Sequence, residues 1–306
     1  LSPYRAPWWL PGGHLQTLYG ALGPAPRVAW RRKRWDTPDG DFIELDWSGG
    51  DAGPLVALFH GLEGGSGSHY ARKLGAAAAA RGWRCVVPHF RGCSGEVNRL
   101  ARAYHSGDSA ELDWILRRLR PDFAAGVSLG GNVLLKWLGE QGAAAAGVVR
   151  RAAAASAPLD LAASGHALDR GLNRRLYARH FLVTMKAKAR AKIASHRLPI
   201  DAARVARART LHAFDDLVTA PLHGFRDADD YWARASSAPW LEHIRVPTLL
   251  VNARNDPFLP PAALAAATRR ASADVVLEFP RSGGHAAFPG RAQWLAHRLL
   301  EFFAAP

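Results

Sequence analysis

The segment Gly126-Val127-Ser128-Leu129-Gly130-Gly131 decides the reading of this 306-residue chain. It follows a short apolar run, Phe123 to Val127, that reads as a strand buried on both faces, and it precedes a helical pattern from Leu129 to Glu140. A serine between glycines at such a junction sits on a sharp turn, where the missing Cβ atoms let helix and neighbouring strand approach. The context, more than the pattern, marks Ser128 as a nucleophile presented at the top of a sheet.

On either side the chain alternates. Val28 to Trp35, Phe42 to Trp47 after the Asp39-Gly40 turn, and Leu55 to Phe59 read as opening strands. A helix from Ser68 to Arg81, a strand at Trp83 to Pro88, a helix from Asp108 to Arg120 and a strand within Val148 to Ala155 continue the pattern. Alternation of this kind predicts a mostly parallel central sheet flanked by helices. It lapses at Pro158 and returns with a strand at Pro247 to Asn252, a helix from Pro261 to Ala271, a strand at Val275 to Phe279 and a closing helix from Gln293 to Phe303. Residues 158–240 therefore read as an inserted helical cap in a single α/β domain spanning 1–306.

A serine hydroxyl needs a base within hydrogen-bond reach and a third group to fix that base's tautomer. In folds of this type the chain order is serine, acid, histidine, the last two after late strands. Asp256 follows the strand ending near Asn252, and His285 follows the strand ending at Phe279. Asp256 also reads as a turn or helix-capping aspartate, Asp274 is a weaker rival, and His60, His89 and His105 come too early. His60-Gly61-Leu62-Glu63-Gly64-Gly65 follows the third strand, so the backbone N–H groups of Leu62 and Leu129 are the candidate oxyanion donors. The same glycines lack the lysine and spacing of a phosphate loop.

With these residues in place the chain resembles the YheT-like branch of the α/β hydrolases, bacterial proteins related to eukaryotic abhydrolase-domain lipases and esterases. The likeness rests on Pro7-Trp8-Trp9-Leu10-Pro11-Gly12-Gly13-His14-Leu15-Gln16-Thr17, His60 to Gly64, Arg91-Gly92-Cys93-Ser94-Gly95-Glu96, Tyr104-His105-Ser106-Gly107, Ser128-Leu129-Gly130-Gly131-Asn132 and Thr219 to Phe225. It departs at Ala286-Ala287, where the family more often has a bulkier residue. The resemblance implies carboxylic ester hydrolysis on short- to medium-chain acyl esters, a triad of Ser128, Asp256 and His285, and neither metal nor organic cofactor. It leaves acyl transfer and thioester cleavage open on the same machinery, and a non-catalytic binding protein of the same fold stands as the reading from another class.

Other residues carry two readings each. Glu63 either fixes the oxyanion loop or is an exposed turn residue; Arg91 and Glu96 pair to order a loop; His105 and Asp108 mark a helix entry. Pro7 to Leu18 packs over the sheet edge or cap, or guides substrate. Leu172, Leu176, Phe181, Leu182 and Met185 line the acyl pocket or pack the cap to the sheet.

The formal charge of +14 comes from dispersed arginines without base-stacking or groove-reading motifs, which read as solvated faces and not as a nucleic-acid surface; the partner that the resemblance implies is a small-molecule or lipid ester. A peripheral membrane contact is considered for the basic stretch Lys186 to Lys192. No apolar run reaches the ~20 residues that span a bilayer. Cys85 and Cys93 form neither a metal cluster nor a disulfide framework, consistent with a reducing, cytoplasmic setting. The oligomeric state is not legible.

Overall fold

The computed structural model describes residues 4–290 and 293–305. An amino-terminal helix α1 (Gly13–Leu22) precedes β1 (Arg31–Asp36), β2 (Phe42–Ser48) and β3 (Leu55–Phe59). Then follow α2 (His69–Ala79), β4 (Arg84–Pro88), α3 (Ser109–Leu119), β5 (Phe123–Val127), α4 (Leu129–Gln141) and β6 (Arg151–Ala155). After a long helical insertion come β7 (Thr248–Val251), helix Pro261–Thr268, β8 (Val275–Glu278) and the final helix Trp294–Ala304.

The eight strands form one sheet in the order β1-β2-β4-β3-β5-β6-β7-β8. β2 runs antiparallel to both neighbours, and from β4 to β8 all pairs are parallel. Parallel strands covered on both faces must be apolar along their whole length, and β3 and β5 are buried at every position. Leu112, Ile115 and Leu116 of α3 pack with Val133, Leu134 and Trp137 of α4 on one face. Leu74 and Ala78 of α2 pack with Leu299 and Phe303 of the final helix on the other.

β6 forms where a strand was expected within Val148 to Ala155, although Arg151-Ala152-Ala153-Ala154-Ala155 has little intrinsic strand preference. It holds its place by pairing on both edges with β5 and β7. Its small side chains let α4 lie close: a Cβ on Gly131 would stand 3.0 Å from Ala157 Cβ.

Between β6 and β7 every regular element is helical, from Leu161–Leu168 to Ala238–His243, and the segment has a core of its own around Leu182, Val205, Leu211, Phe214, Tyr231 and Trp232. Asn132, buried in α4, ties it down. Its amide N–H groups donate to Ser106 O (2.7 Å) and Ala235 O (2.8 Å), and its carbonyl accepts from Ser237 N–H (2.9 Å). A Cβ on Gly107 would lie 2.7 Å from Ala235 Cα, so the Ser106-Gly107 stretch is where the insertion closes back on the sheet.

Candidate active site

Ser128 follows β5 directly at φ 54°, ψ −123°, a strained conformation for a residue with a side chain. The sheet enforces it: Ser128 N–H donates to Ala155 O on β6 at 2.9 Å. A Cβ on Gly130 would stand 2.3 Å from Phe59 O, and one on Gly126 2.4 Å from Gly130 O, so no side chain fits at either flank. The turn lifts the hydroxyl out of the sheet and points it at the loop after β8.

That loop carries His285, whose Nε2 lies 2.9 Å from Ser128 Oγ and whose Nδ1 lies 2.9 Å from Asp256 Oδ2. Asp256 is buried, and its other oxygen accepts from Phe258 N–H at 2.9 Å. A carboxylate so placed accepts a hydrogen bond from Nδ1–H and leaves Nε2 as the acceptor facing Ser128. Phe258 also stacks on the imidazole, 4.1 Å between ring centres, and shields it from water.

The β3–α2 loop closes the third side. A Cβ on Gly61 would come within 3.1 Å of Ser128 Cβ, so this loop abuts Ser128. The N–H groups either side of Leu62 are engaged, Gly61 with Tyr70 OH (2.8 Å) and Glu63 with Tyr104 OH (2.9 Å), and Leu62 and Leu129 face the same cavity as Ser128. His60 braces the loop from beneath. Its Nδ1–H reaches Gly61 O at 2.8 Å and its Nε2 accepts from Phe90 N–H at 3.0 Å, while complete burial drives its pKa down to about 3 and keeps it neutral. Glu63, at φ 55°, accepts from Tyr104 OH (2.8 Å) and from Lys188 Nζ of the insertion (2.9 Å), so it is a loop-fixing residue and not a free turn glutamate.

The cavity beside Ser128 has a volume of about 150 Å³ and a mainly apolar wall. Phe181 and Met185 line it, together with Leu161, Leu168, Phe214 and Trp232. Three other residues expected there lie elsewhere. Leu182 is buried in the insertion's own core, whereas Leu172 and Leu176 are 51% and 39% exposed. The reason is a π-turn at Arg174–Ala178, whose extra residue shifts the helical phase between Leu172 and Phe181. Arg91 also departs from expectation: it pairs with Glu111, Asp39 and Asp41, and Glu96 pairs with Arg34 instead. Asp108 precedes α3 but its carboxylate makes no cap; it accepts two bonds from Arg102.

The largest omission from the sequence reading is α1. It packs neither on the sheet edge nor mainly on the cap, but against the two loops that carry Asp256 and His285. Thr17 Oγ1 accepts from His285 N–H at 2.8 Å and donates to Gly13 O at 2.7 Å. Gln16 Oε1 accepts from Gly283 N–H and from Asn255 Nδ2, both at 2.9 Å, and Asn255 Oδ1 accepts from Gly284 N–H at 3.1 Å. Gly13 and Gly20 allow this approach, since Cβ atoms there would stand 1.8 Å from Asn255 O and 2.4 Å from Ala287 Cβ. The small Ala287 is the surface on which Gly20 rests. Thr17→Val is expected to lower kcat about tenfold, as one hydrogen bond of about 1–1.5 kcal/mol is lost at the backbone of His285. KM should change little and Thr17→Ser should restore the rate, as steady-state kinetics on a chromogenic ester will show.

Comparison with known proteins identifies the family. A family model described as the alpha/beta hydrolase fold matches residues 54–292. The chain belongs to the α/β-hydrolase family. Within it, YheT of Escherichia coli (strain K12), which its name proposes as an esterase, is 38% identical over 94% of this chain and 89% of its own length. Human phospholipase ABHD3 is 28% identical over 93% of this chain and 73% of its own. Among solved structures, the esterase EaEST from Exiguobacterium antarcticum superposes with a TM-score of 0.59 at 16% identity, covering 89% of this chain and all but 1% of that one, a likeness of fold. The chain thus falls in the YheT-like branch of that family.

Proposed function

We propose that this α/β hydrolase cleaves carboxylic esters through an acyl-enzyme on Ser128, with His285 as general base and acid and Asp256 as its orienting carboxylate. The observation that carries the reading is the unbroken relay from Asp256 Oδ2 through His285 to Ser128 Oγ, two bonds of 2.9 Å, opening on an apolar cavity.

Attack of Ser128 Oγ on the ester carbonyl transfers its proton to His285 Nε2, and the imidazolium then protonates the departing alcohol. Asp256 stays ionised and stabilises the imidazolium. The oxygen that becomes negative in the tetrahedral intermediate meets the N–H groups of Leu62 and Leu129; losing one such donor typically costs about 10²- to 10³-fold in rate. Water enters next and His285 repeats its part, releasing the acid and restoring Ser128. No step calls for a metal or an organic cofactor.

The helical insertion acts in this scheme as the cap that roofs Ser128, and its Phe181 and Met185 limit the acyl group. A cavity of about 150 Å³ suits short- to medium-chain acyl groups. Across p-nitrophenyl esters from acetate to laurate, kcat/KM should rise and then fall as the chain outgrows the cavity; a flat profile in both wild type and Ser128→Ala would sink the ester reading. Met185→Trp should move the optimum toward acetate, lowering kcat/KM for octanoate about tenfold or more while leaving acetate within about twofold, on the scale of 1–3 kcal/mol for a misfit in an apolar pocket.

Acyl transfer uses the same acyl-enzyme. A yeast relative named medium-chain fatty acid ethyl ester synthase/esterase 2, 27% identical over 82% of this chain, carries both activities in its name. Ethyl ester formed when ethanol is present during turnover would separate transfer from hydrolysis.

A further inference from the structure

The basic stretch Lys186 to Lys192, a candidate membrane-facing segment by sequence, has its three lysines engaged within the protein. Lys188 reaches Glu63, Lys186 donates to Ala206 O, and Lys192 is buried against Leu100 O and Arg102 O, where desolvation brings its pKa down to about 8. Exposed apolar side chains gather elsewhere, in two neighbouring places.

The first is the amino-terminal segment. Trp8 is 91% exposed, Trp9 and Leu15 are half exposed, and Leu22 is 84% exposed. Trp9 meets Tyr19 edge to face at 5.3 Å, and Leu15, Tyr19 and Leu22 fall on one face of α1 by their i, i+4, i+7 spacing. The opposite face is the one that holds the loops of Asp256 and His285. The second is the start of the insertion, with Leu172, Leu176 and Val183 exposed.

These two surfaces meet. His14 of α1 stacks on Tyr177, with planes 6° apart and Nδ1 3.2 Å from the tyrosine hydroxyl, and Asn173 Nδ2 donates to Pro257 O beside the point where Gly13 abuts Asn255. Arg170, Arg174, Arg175 and Arg179 are exposed among the leucines, and none of the four has an ion pair among the described residues. The local sequence offers them no acid: no Asp or Glu precedes Asp36, and none stands between Asp169 and Asp201. Aromatic and aliphatic side chains beside unpaired arginines, with no carboxylate in either segment, match an anionic phospholipid surface: apolar groups enter the headgroup boundary and guanidinium forks meet phosphates. Nucleic acid would satisfy the arginines but not the exposed Trp8, Trp9, Leu172 and Leu176.

We propose that this face, formed by Trp8, Trp9 and the outer side of α1 together with Leu172, Leu176 and the four arginines, docks the protein on anionic phospholipid bilayers. The surface lies close to the chemistry. His14 stacks on Tyr177, Tyr177 meets Phe258 at 4.6 Å, and Phe258 stacks on His285. Docking there sets the bilayer a few ring layers from the imidazole, on the side of the cavity where Phe181 also packs. The binding does not depend on the ester reading, so the two stand or fall by different readouts.

The test is co-sedimentation with vesicles of phosphatidylcholine alone and of phosphatidylcholine mixed with phosphatidylglycerol. Wild type is expected to bind the mixed vesicles and not the neutral ones. Trp8→Ser/Trp9→Ser and Arg174→Ala/Arg175→Ala should each weaken partitioning about tenfold or more, while melting temperature and turnover of a water-soluble p-nitrophenyl ester stay at the wild-type level. Lys186→Ala/Arg190→Ala should bind like wild type. No binding to mixed vesicles, equal binding to neutral ones, undiminished binding by both double variants, or arginine-dependent binding to duplex DNA in place of vesicles would overturn the proposal.

Discussion

His285→Ala is expected to lower ester turnover by about 10⁶-fold, the scale on which a triad histidine and its serine act as one unit. Ser128 Oγ would lose the acceptor 2.9 Å away, and no other imidazole replaces it: His60 is committed at both nitrogens. The fold should survive, with a melting temperature within a few degrees of wild type. The loop is held through backbone groups, since His285 N–H bonds Thr17 and Ala286 N–H bonds Ser156 Oγ at 2.9 Å, and Asp256 keeps Phe258 N–H. Parallel measurement of turnover and thermal unfolding decides this; a collapsed melt would mark His285 as structural.

Asp256→Asn is expected to lower kcat by about 10⁴-fold with little change in KM. The geometry explains the size. Oδ1 accepts from Phe258 N–H, so an asparagine in this position keeps its oxygen there and turns its NH₂ toward His285 Nδ1. Nδ1 must then accept, which moves the ring proton to Nε2 and leaves Ser128 facing a donor. The pH–rate profile offers a second readout, because an imidazole locked in the wrong tautomer should recover part of its rate as hydroxide concentration rises. A loss below about tenfold would mean that Asp256 does not set the tautomer.

Much of this arrangement was legible in the residues. Short apolar runs bounded by glycine and proline located β3, β4, β5 and β7, because strands buried on both faces are almost entirely apolar and leave little to confuse their pattern. The chain order of Ser128, Asp256 and His285 followed from the strands they succeed. The edges were less legible: β1 begins at Arg31 and not at Val28, on an exposed edge strand that packing constrains weakly.

α1 was not legible by ordinary signals. Ten residues with glycine at positions 13 and 20 and no side-chain cap make a poor autonomous helix, so its stability comes from the loops it clamps. The clue lay in the spacing. Gly13, Gln16, Thr17 and Gly20 share one helical face, a stripe of small and amide side chains suited to approaching backbone, while the apolar residues that attract notice lie on the other side. Which insertion residues face the cavity was also not legible. The π-turn at Arg174–Ala178 breaks the 3.6-residue phase, so Leu172 and Leu176 face outward while Phe181 and Met185 face the cavity. Arg91 illustrates a third limit, since its partners Asp39, Asp41 and Glu111 are distant in sequence and only the packed sheet brings them together.

Whether Ser128 is an activated nucleophile is decided by treating the folded wild type with a fluorophosphonate, mapping the adduct by mass and assaying p-nitrophenyl butyrate hydrolysis. One adduct, on Ser128, is expected, with turnover falling in step with labelling and both lost in Ser128→Ala. Folded wild type that takes no label, or an adduct on another serine with turnover intact in Ser128→Ala, would contradict it.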